Sequence, residues 1–117
     1  MPIRMPGKNK YHAHKFTIYG ITFDSRREAA EYLKYRDMLN KGEIVKLELQ
    51  PEFELLPTFK SFGKTQRSVK YTPDFLLTYP DGRKVAVEVK GYRTTDYILR
   101  AKMFRWKYKD IELLEVR

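Results

Sequence analysis

The stretch Tyr79-Pro80-Asp81-Gly82-Arg83 constrains this chain more than any other. Proline presets the first central position of a type I turn, and glycine takes the left-handed position of a bulge. Residues 80–82 therefore form a three-residue hairpin loop, and Tyr79 pairs with Arg83. Counting back along both strands places Asp74 opposite Glu88. Side chains alternate with period two, so Glu88 and Lys90 share a face and Asp74 joins them. Val85, Val87 and Val89 take the other face and pack into the core. A two-residue loop would shift the register and turn Asp74 away.

Two carboxylates facing each other across a ladder repel. Such a pair persists where something compensates. A hard divalent cation does so, because Mg²⁺ takes carboxylate oxygens, keeps several waters and also accepts phosphate oxygens. Lys90 would then polarise a water or hold a phosphate beside the metal. The alternative is a lysine–carboxylate network on a wet sheet face.

The rest of the chain supplies the frame. "KFTIYGITF" alternates Phe16, Ile18, Ile21 and Phe23 around Tyr19-Gly20, a short hairpin. In "DSRREAAEYLKYRDMLNKGEI", Ser25 and Glu28 have the spacing of a capping box, and Gly42 is a helix stop. Ala29, Tyr32, Leu33 and Leu39 share one face at helical spacing, with Glu28 at its edge and Glu31 on the polar side. Val45, Leu47 and Leu49, then Phe53 and Leu55, alternate as strands interrupted at Pro51. "KSFGKTQRSVK" reads as a basic turn with Gly63 near its tip. Lys60, Lys64, Arg67 and Lys70 either follow a phosphate backbone or form a solvated hairpin tip. Strands follow at 69–79 and 83–90. A helix over about 95–109 carries Tyr97, Ala101, Phe104 and Tyr108 as its core stripe, and "IELLEV" closes the chain as a strand. Gln50 is a candidate for the pocket wall, although a glutamine before a proline also has structural uses.

Among 117 residues, 42% are hydrophobic and 15% aromatic, which suits one folded domain with one modest core. Residues 1–15 hold four basic side chains, two histidines and no acid, and read as a flexible basic arm carrying Lys8, Lys10 and Lys15. Residues 16–117 form the single domain. His12-x-His14 is weak evidence for a metal and reads more readily as part of the solvated arm. The chain has no cysteine, which excludes disulfides and thiolate metal sites. No apolar run approaches the ~20 residues that cross a bilayer, and the N-terminus lacks a signal-peptide core. These features predict a soluble protein of the cytoplasm. The net charge of +9 favours an anionic partner, nucleic acid first. A membrane surface is second, but neither helix pairs a basic face with a lipid-ready one.

Proline-aspartate at 73–74, a hairpin, and Glu-Val-Lys at 88–90 resemble the PD-(D/E)XK nuclease superfamily, the restriction-endonuclease-like fold. "FDSRREAAEYL" is similar to that family's upstream acidic helix. "LELQPEFEL" with "YTPDF" and "EVKGY" looks most like small phage- and prophage-encoded domains, loosely likened to Holliday-junction resolvases. The resemblance implies an α/β core of helix, three-stranded antiparallel meander, helix and strand, here with an N-terminal hairpin and basic arm. It implies a Mg²⁺-dependent deoxyribonuclease, with Mn²⁺ as a substitute. Asp74 and Glu88 would ligate the metal with the Val89 carbonyl, Lys90 would orient the attacking water, and Glu28 would complete the acidic pocket. Lys8, Lys10, Lys15, Lys60, Lys64, Arg67 and Lys70 would meet DNA. Resolvases of this class cut as homodimers, because two strands need two sites. A non-catalytic DNA- or RNA-binding module is the alternative reading.

Overall fold

The computed structural model describes residues 15–90 and 92–117. The basic arm, with Lys8, Lys10, His12 and His14, lies outside the described residues; Lys15 lies within them.

The chain opens with an antiparallel hairpin of β1 (Phe16–Ile18) and β2 (Ile21–Phe23). Tyr19 and Gly20 both take positive φ, at 54° and 78°. Two such residues in a two-residue loop make a type I′ turn, whose twist matches the strands it joins. Helix α1 (Arg26–Asn40) follows, with Ser25 Oγ accepting the Glu28 amide at 3.1 Å. Its C-terminus is a Schellman motif. Gly42, at φ 78°, donates to the Leu39 carbonyl, and Glu43 donates to Met38. Ile44 is then swung into the core.

The buried face of α1 is Ala29, Tyr32 and Tyr35, with Met38 half-buried. Leu33 is 43% exposed and Leu39 is also exposed, so the stripe expected through those two leucines is corrected. Four aromatic rings decide the orientation. Phe23 and Tyr32 lie 5.0 Å apart, and Tyr35 meets Phe75 edge-on at 5.4 Å. Tyrosine buries a large ring while its hydroxyl reaches a polar partner, and Tyr35 donates to Glu31 at 2.6 Å. Glu31 is therefore partly buried rather than turned to solvent.

The central sheet has four strands in the order β10-β9-β8-β3: β3 (Lys46–Leu49), β8 (Phe75–Thr78), β9 (Lys84–Val89) and β10 (Ile111–Val116). The β3–β8 and β8–β9 ladders are antiparallel, and β9–β10 is parallel. Helix α2 (Thr95–Lys107) makes the crossover that a parallel pair requires. The molecule is thus mixed α/β, with two helices and several sheets.

Between β3 and β8 the chain makes two smaller sheets. β4 (Phe53–Leu56) pairs with β7 (Val69–Tyr71), and β5 (Phe59–Ser61) pairs with β6 (Lys64–Gln66). The single strand expected over 69–79 is therefore two strands in different sheets, broken at Thr72–Asp74. Pro73 offers no amide to a ladder, which ends one pairing and lets the chain change sheets. Lys70 accordingly belongs to β7 and not to the turn around Gly63.

Both faces of the central sheet are covered. Phe75, Leu77, Val85 and Val87 face α1, while Leu76 and Ala86 face α2 with Tyr97, Ala101 and Phe104. A strand buried on both sides explains the run Val85-Ala86-Val87. It also counts against the alternative of a lysine–carboxylate network on a wet sheet face, since Glu88 is only 7% exposed. No helix among the described residues is long and apolar enough to cross a membrane.

Candidate functional site

The hairpin loop places Tyr79 against Arg83, and the ladder runs to Phe75 against Val87, the register that the turn sequence dictates. There it stops. The Asp74 amide bonds the Val87 carbonyl at 2.9 Å, and Asp74 Oδ2 accepts the Val89 amide at 2.7 Å. Asp74 thus caps the ladder instead of forming a flat pair with Glu88. The two carboxyls still influence each other, Asp74 raising Glu88 and Glu88 lowering Asp74.

This bend gives the two acids different surroundings. Asp74 lines a cleft with Glu28, Leu49, Gln50 and Phe75 on the α1 side of the sheet. Glu88 lines a second cleft with Lys70, Tyr71, Lys90, Tyr97 and Arg100 on the α2 side. Burial is the largest influence on all three acids and raises each of them. It acts with Asp74 to push Glu28 up to about 7. It pushes Glu88 up to about 7 against the Tyr71 hydrogen bond, which lowers it. Beyond burial, the charge of Asp74 raises both Glu28 and Glu88, while Glu88 and the Val89 amide lower Asp74.

Each ladder acid is held by one oxygen. Tyr71 donates to Glu88 Oε1 at 2.5 Å, and the Val89 amide holds Asp74 Oδ2. No N–H or O–H of the described residues donates to Asp74 Oδ1. Lys90 Nζ stands 3.9 Å from Glu88 Oε2 and 5.0 Å over the Tyr97 ring. Glu28 gives its amide to Ser25, but its carboxylate does not return the bond that closes a capping box, so the side chain is free to face Asp74.

Among the described residues no group of three or more His, Cys, Asp or Glu is arranged as a ready-made metal site. Two carboxylates with a free oxygen each are still a donor set suited to Mg²⁺, which uses one or two carboxylates and takes its other oxygens from water and phosphate. Val89 is half-buried at the strand end, with its amide committed to Asp74.

Gln50 also stands on the cleft wall. Its φ is +49° although it precedes a proline, a position that favours extended backbone, and its amide donates to the Asp74 carbonyl at 2.9 Å. The cations expected to meet a polyanion are scattered. Lys60, Lys64 and Arg67 are exposed on and beside the β5–β6 hairpin. Lys70 pairs with Glu52 at 3.4 Å and lines the Glu88 cleft. Lys15 pairs with Asp24 at 3.1 Å.

Two residues at the site were not visible in the sequence. Tyr71 approaches Glu88 from another sheet, and Glu115 lies in register beside Glu88 on β10. Tyr97 donates to Glu115 at 2.6 Å, which with Arg93 and Arg105 holds that carboxyl below its ordinary range. Only the "IELLEV" strand hinted at Glu115, and only once its parallel register was known.

A family described as a protein of unknown function, DUF1064, matches residues 8–117. The chain belongs to DUF1064. No curated protein and no solved structure matches it. Membership in DUF1064 assigns no chemistry, so the function of this DUF1064 chain is argued from its site.

Proposed function

We propose that the protein is a divalent-metal-dependent DNA endonuclease with a restriction-endonuclease-like core, hydrolysing phosphodiester bonds with a preference for branched DNA. The observation that carries this reading is the placement of Asp74 against the end of β9, next to Glu88 and Lys90, with Glu28 lining the same cleft as Asp74, in a chain of net charge +9. Acids withdrawn from water are costly to ionise unless a cation or a proton joins them. A basic protein that concentrates acids at one point has reason to bring a cation and a polyanion together there.

Asp74 Oδ1 and Glu88 Oε2 would hold the metal with the Val89 carbonyl. A divalent cation at that point supplies charge neutralisation at the scissile phosphate and acidity to a water. The remaining work falls to the chain. Tyr71 fixes the Glu88 carboxylate and Val89 fixes Asp74. Lys90, beside Glu88, holds the phosphate or orients the water. Glu28 takes up a proton at the far side of Asp74. A small domain offers little surface for reading a long sequence, which favours DNA shape as the selected feature, and cutting two strands favours a homodimer.

The test is incubation of the protein with linear, nicked, forked and four-way DNA, with Mg²⁺, with Mn²⁺ and with neither. Metal-dependent cleavage that Lys90→Met abolishes is the expected result. Tight DNA binding without cleavage under every condition would establish a binding module instead.

A further inference from the structure

Two hairpins in this molecule have the same loop chemistry and treat it differently. Tyr19-Gly20 and Phe62-Gly63 are both two-residue type I′ turns with an aromatic residue at positive φ, 54° for Tyr19 and 50° for Phe62. Bulky side chains are rare in this conformation, which Asn, Asp or Gly adopt more cheaply. Tyr19 has an internal use, because the Arg36 guanidinium of α1 lies 4.1 Å over its ring. Phe62 has none. Its ring meets no aromatic or cationic partner among the described residues, and it is 104% exposed, as open as a side chain in an extended peptide.

Phe62 therefore combines backbone strain with full hydration of an apolar ring, and neither cost is recovered within the fold. Its setting indicates what recovers them. Lys60 and Lys64 flank it on paired strands, and Arg67 follows. From Leu55 to Pro73 the chain carries four cations and no acid. An apolar protein partner would gain nothing from that charge. A polyanion with stackable rings satisfies both features.

We infer that the β5–β6 hairpin is a DNA-docking element whose Phe62 ring stacks on a base where the duplex stack is already interrupted, as at a branch point, while Lys60, Lys64 and Arg67 contact the flanking phosphates. The inference deepens the proposed endonuclease reading by naming the feature of DNA that is selected. An aromatic ring at a cationic hairpin tip gains stacking only where a base face is open. In continuous duplex every face is covered, and insertion there costs unstacking.

The experiment measures binding in Ca²⁺, without cleavage, of the full chain and its Phe62→Ala and Phe62→Trp variants. The probes are a four-way junction and a continuous duplex of equal length, with 2-aminopurine at the branch or at the duplex centre. Base–aromatic stacking predicts about a tenfold or greater loss of junction affinity in Phe62→Ala. Duplex affinity should stay level, Phe62→Trp should restore junction binding, and branch-point fluorescence should be quenched only by proteins with a ring at 62. Wild-type junction affinity in Phe62→Ala would overturn the inference. So would an equal loss on single-stranded RNA, or a dimer that dissociates when the ring is removed, since the occupant would then be RNA or a second copy of the chain. Failure of the endonuclease reading looks different: Phe62-dependent junction binding would persist with no cleavage in Mg²⁺ or Mn²⁺.

Discussion

The Tyr71 hydroxyl donates to Glu88 Oε1 at 2.5 Å, joining a strand of the β4–β7 sheet to a strand of the central sheet. Burial keeps Tyr71 protonated well above its ordinary range, so this contact is always a donor. It lowers the pKa of Glu88 against the burial that raises it.

Tyr71→Phe removes that donor and little else. At pH 8 the metal-free variant should lose roughly 1.5–3 kcal/mol, the range for a hydrogen bond to a charged group. At pH 5, where Glu88 carries a proton, the loss should be smaller. Metal affinity should fall about 10- to 100-fold. Urea denaturation at both pH values, with calorimetric metal titration, reads all three. Equal losses at the two pH values would mean that Glu88 is not the group Tyr71 serves.

Lys90→Met tests the lysine beside Glu88. Cleavage should drop by about 100-fold or more, with DNA affinity in Ca²⁺ close to wild type, because among the described residues the Nζ engages only Glu88 and the Tyr97 ring. A fall in affinity that matches the fall in rate would make Lys90 a phosphate anchor with no part in the chemistry.

The acid cluster should make metal-free stability fall as pH rises. Glu28 and Glu88 have folded values of about 7 against ordinary values near 4.5. Between those limits the folded state binds more protons than the unfolded chain, so stability is full below about 4.5 and is lost as pH climbs through about 7. Glu115 acts oppositely, because its lowered value makes stability fall below pH 4.5. Thermal midpoints measured in chelator from pH 5 to 8 should decline, and Glu28→Gln should flatten the decline while reducing cleavage. Since the carboxylate of Glu28 does not close the capping box, Glu28→Ala should behave like Glu28→Gln, whereas Ser25→Ala should cost about 1 kcal/mol. A rising midpoint over that range would remove the mutual repulsion from the account.

The hairpin tip should show stability and binding moving apart. Phe62→Asn creates Asn-Gly, the sequence that type I′ turns favour, and should stabilise the protein by about 1 kcal/mol while weakening junction binding. Neutralising Lys60, Lys64 and Arg67 together should flatten the slope of log affinity against log salt by up to about three. An unchanged slope would return these cations to plain solvation.

Local chemistry was legible in the sequence. The Tyr79–Arg83 pairing, the Ser25 cap, the Gly42 stop and the Tyr97–Ala101–Phe104 stripe each rest on residues a few positions apart. What escaped depends on distant partners. Helical spacing puts Ala29 and Tyr32 on the core face with Leu33 and Leu39, yet the rings of Phe23 and Phe75 turn that face toward Tyr35 and leave the two leucines exposed. The split at Pro73 decides which cleft Asp74 opens on, and it follows from β7 finding a partner in β4. Tyr71 and Glu115 could be placed beside Glu88 only after the sheets were assembled.

β4 and β7 are themselves neighbours, with Phe53 facing Tyr71 and Leu56 facing Val69. Everything from Pro57 to Ser68 therefore hangs from a closed rung, tied again where the Ser68 amide meets Thr58 Oγ1. Lengthening, shortening or replacing that excursion leaves the registers of β3, β8 and β9 unchanged. Sequence change in those twelve residues is thereby uncoupled from the geometry of the acid cluster, and the frame tolerates rewriting one without disturbing the other.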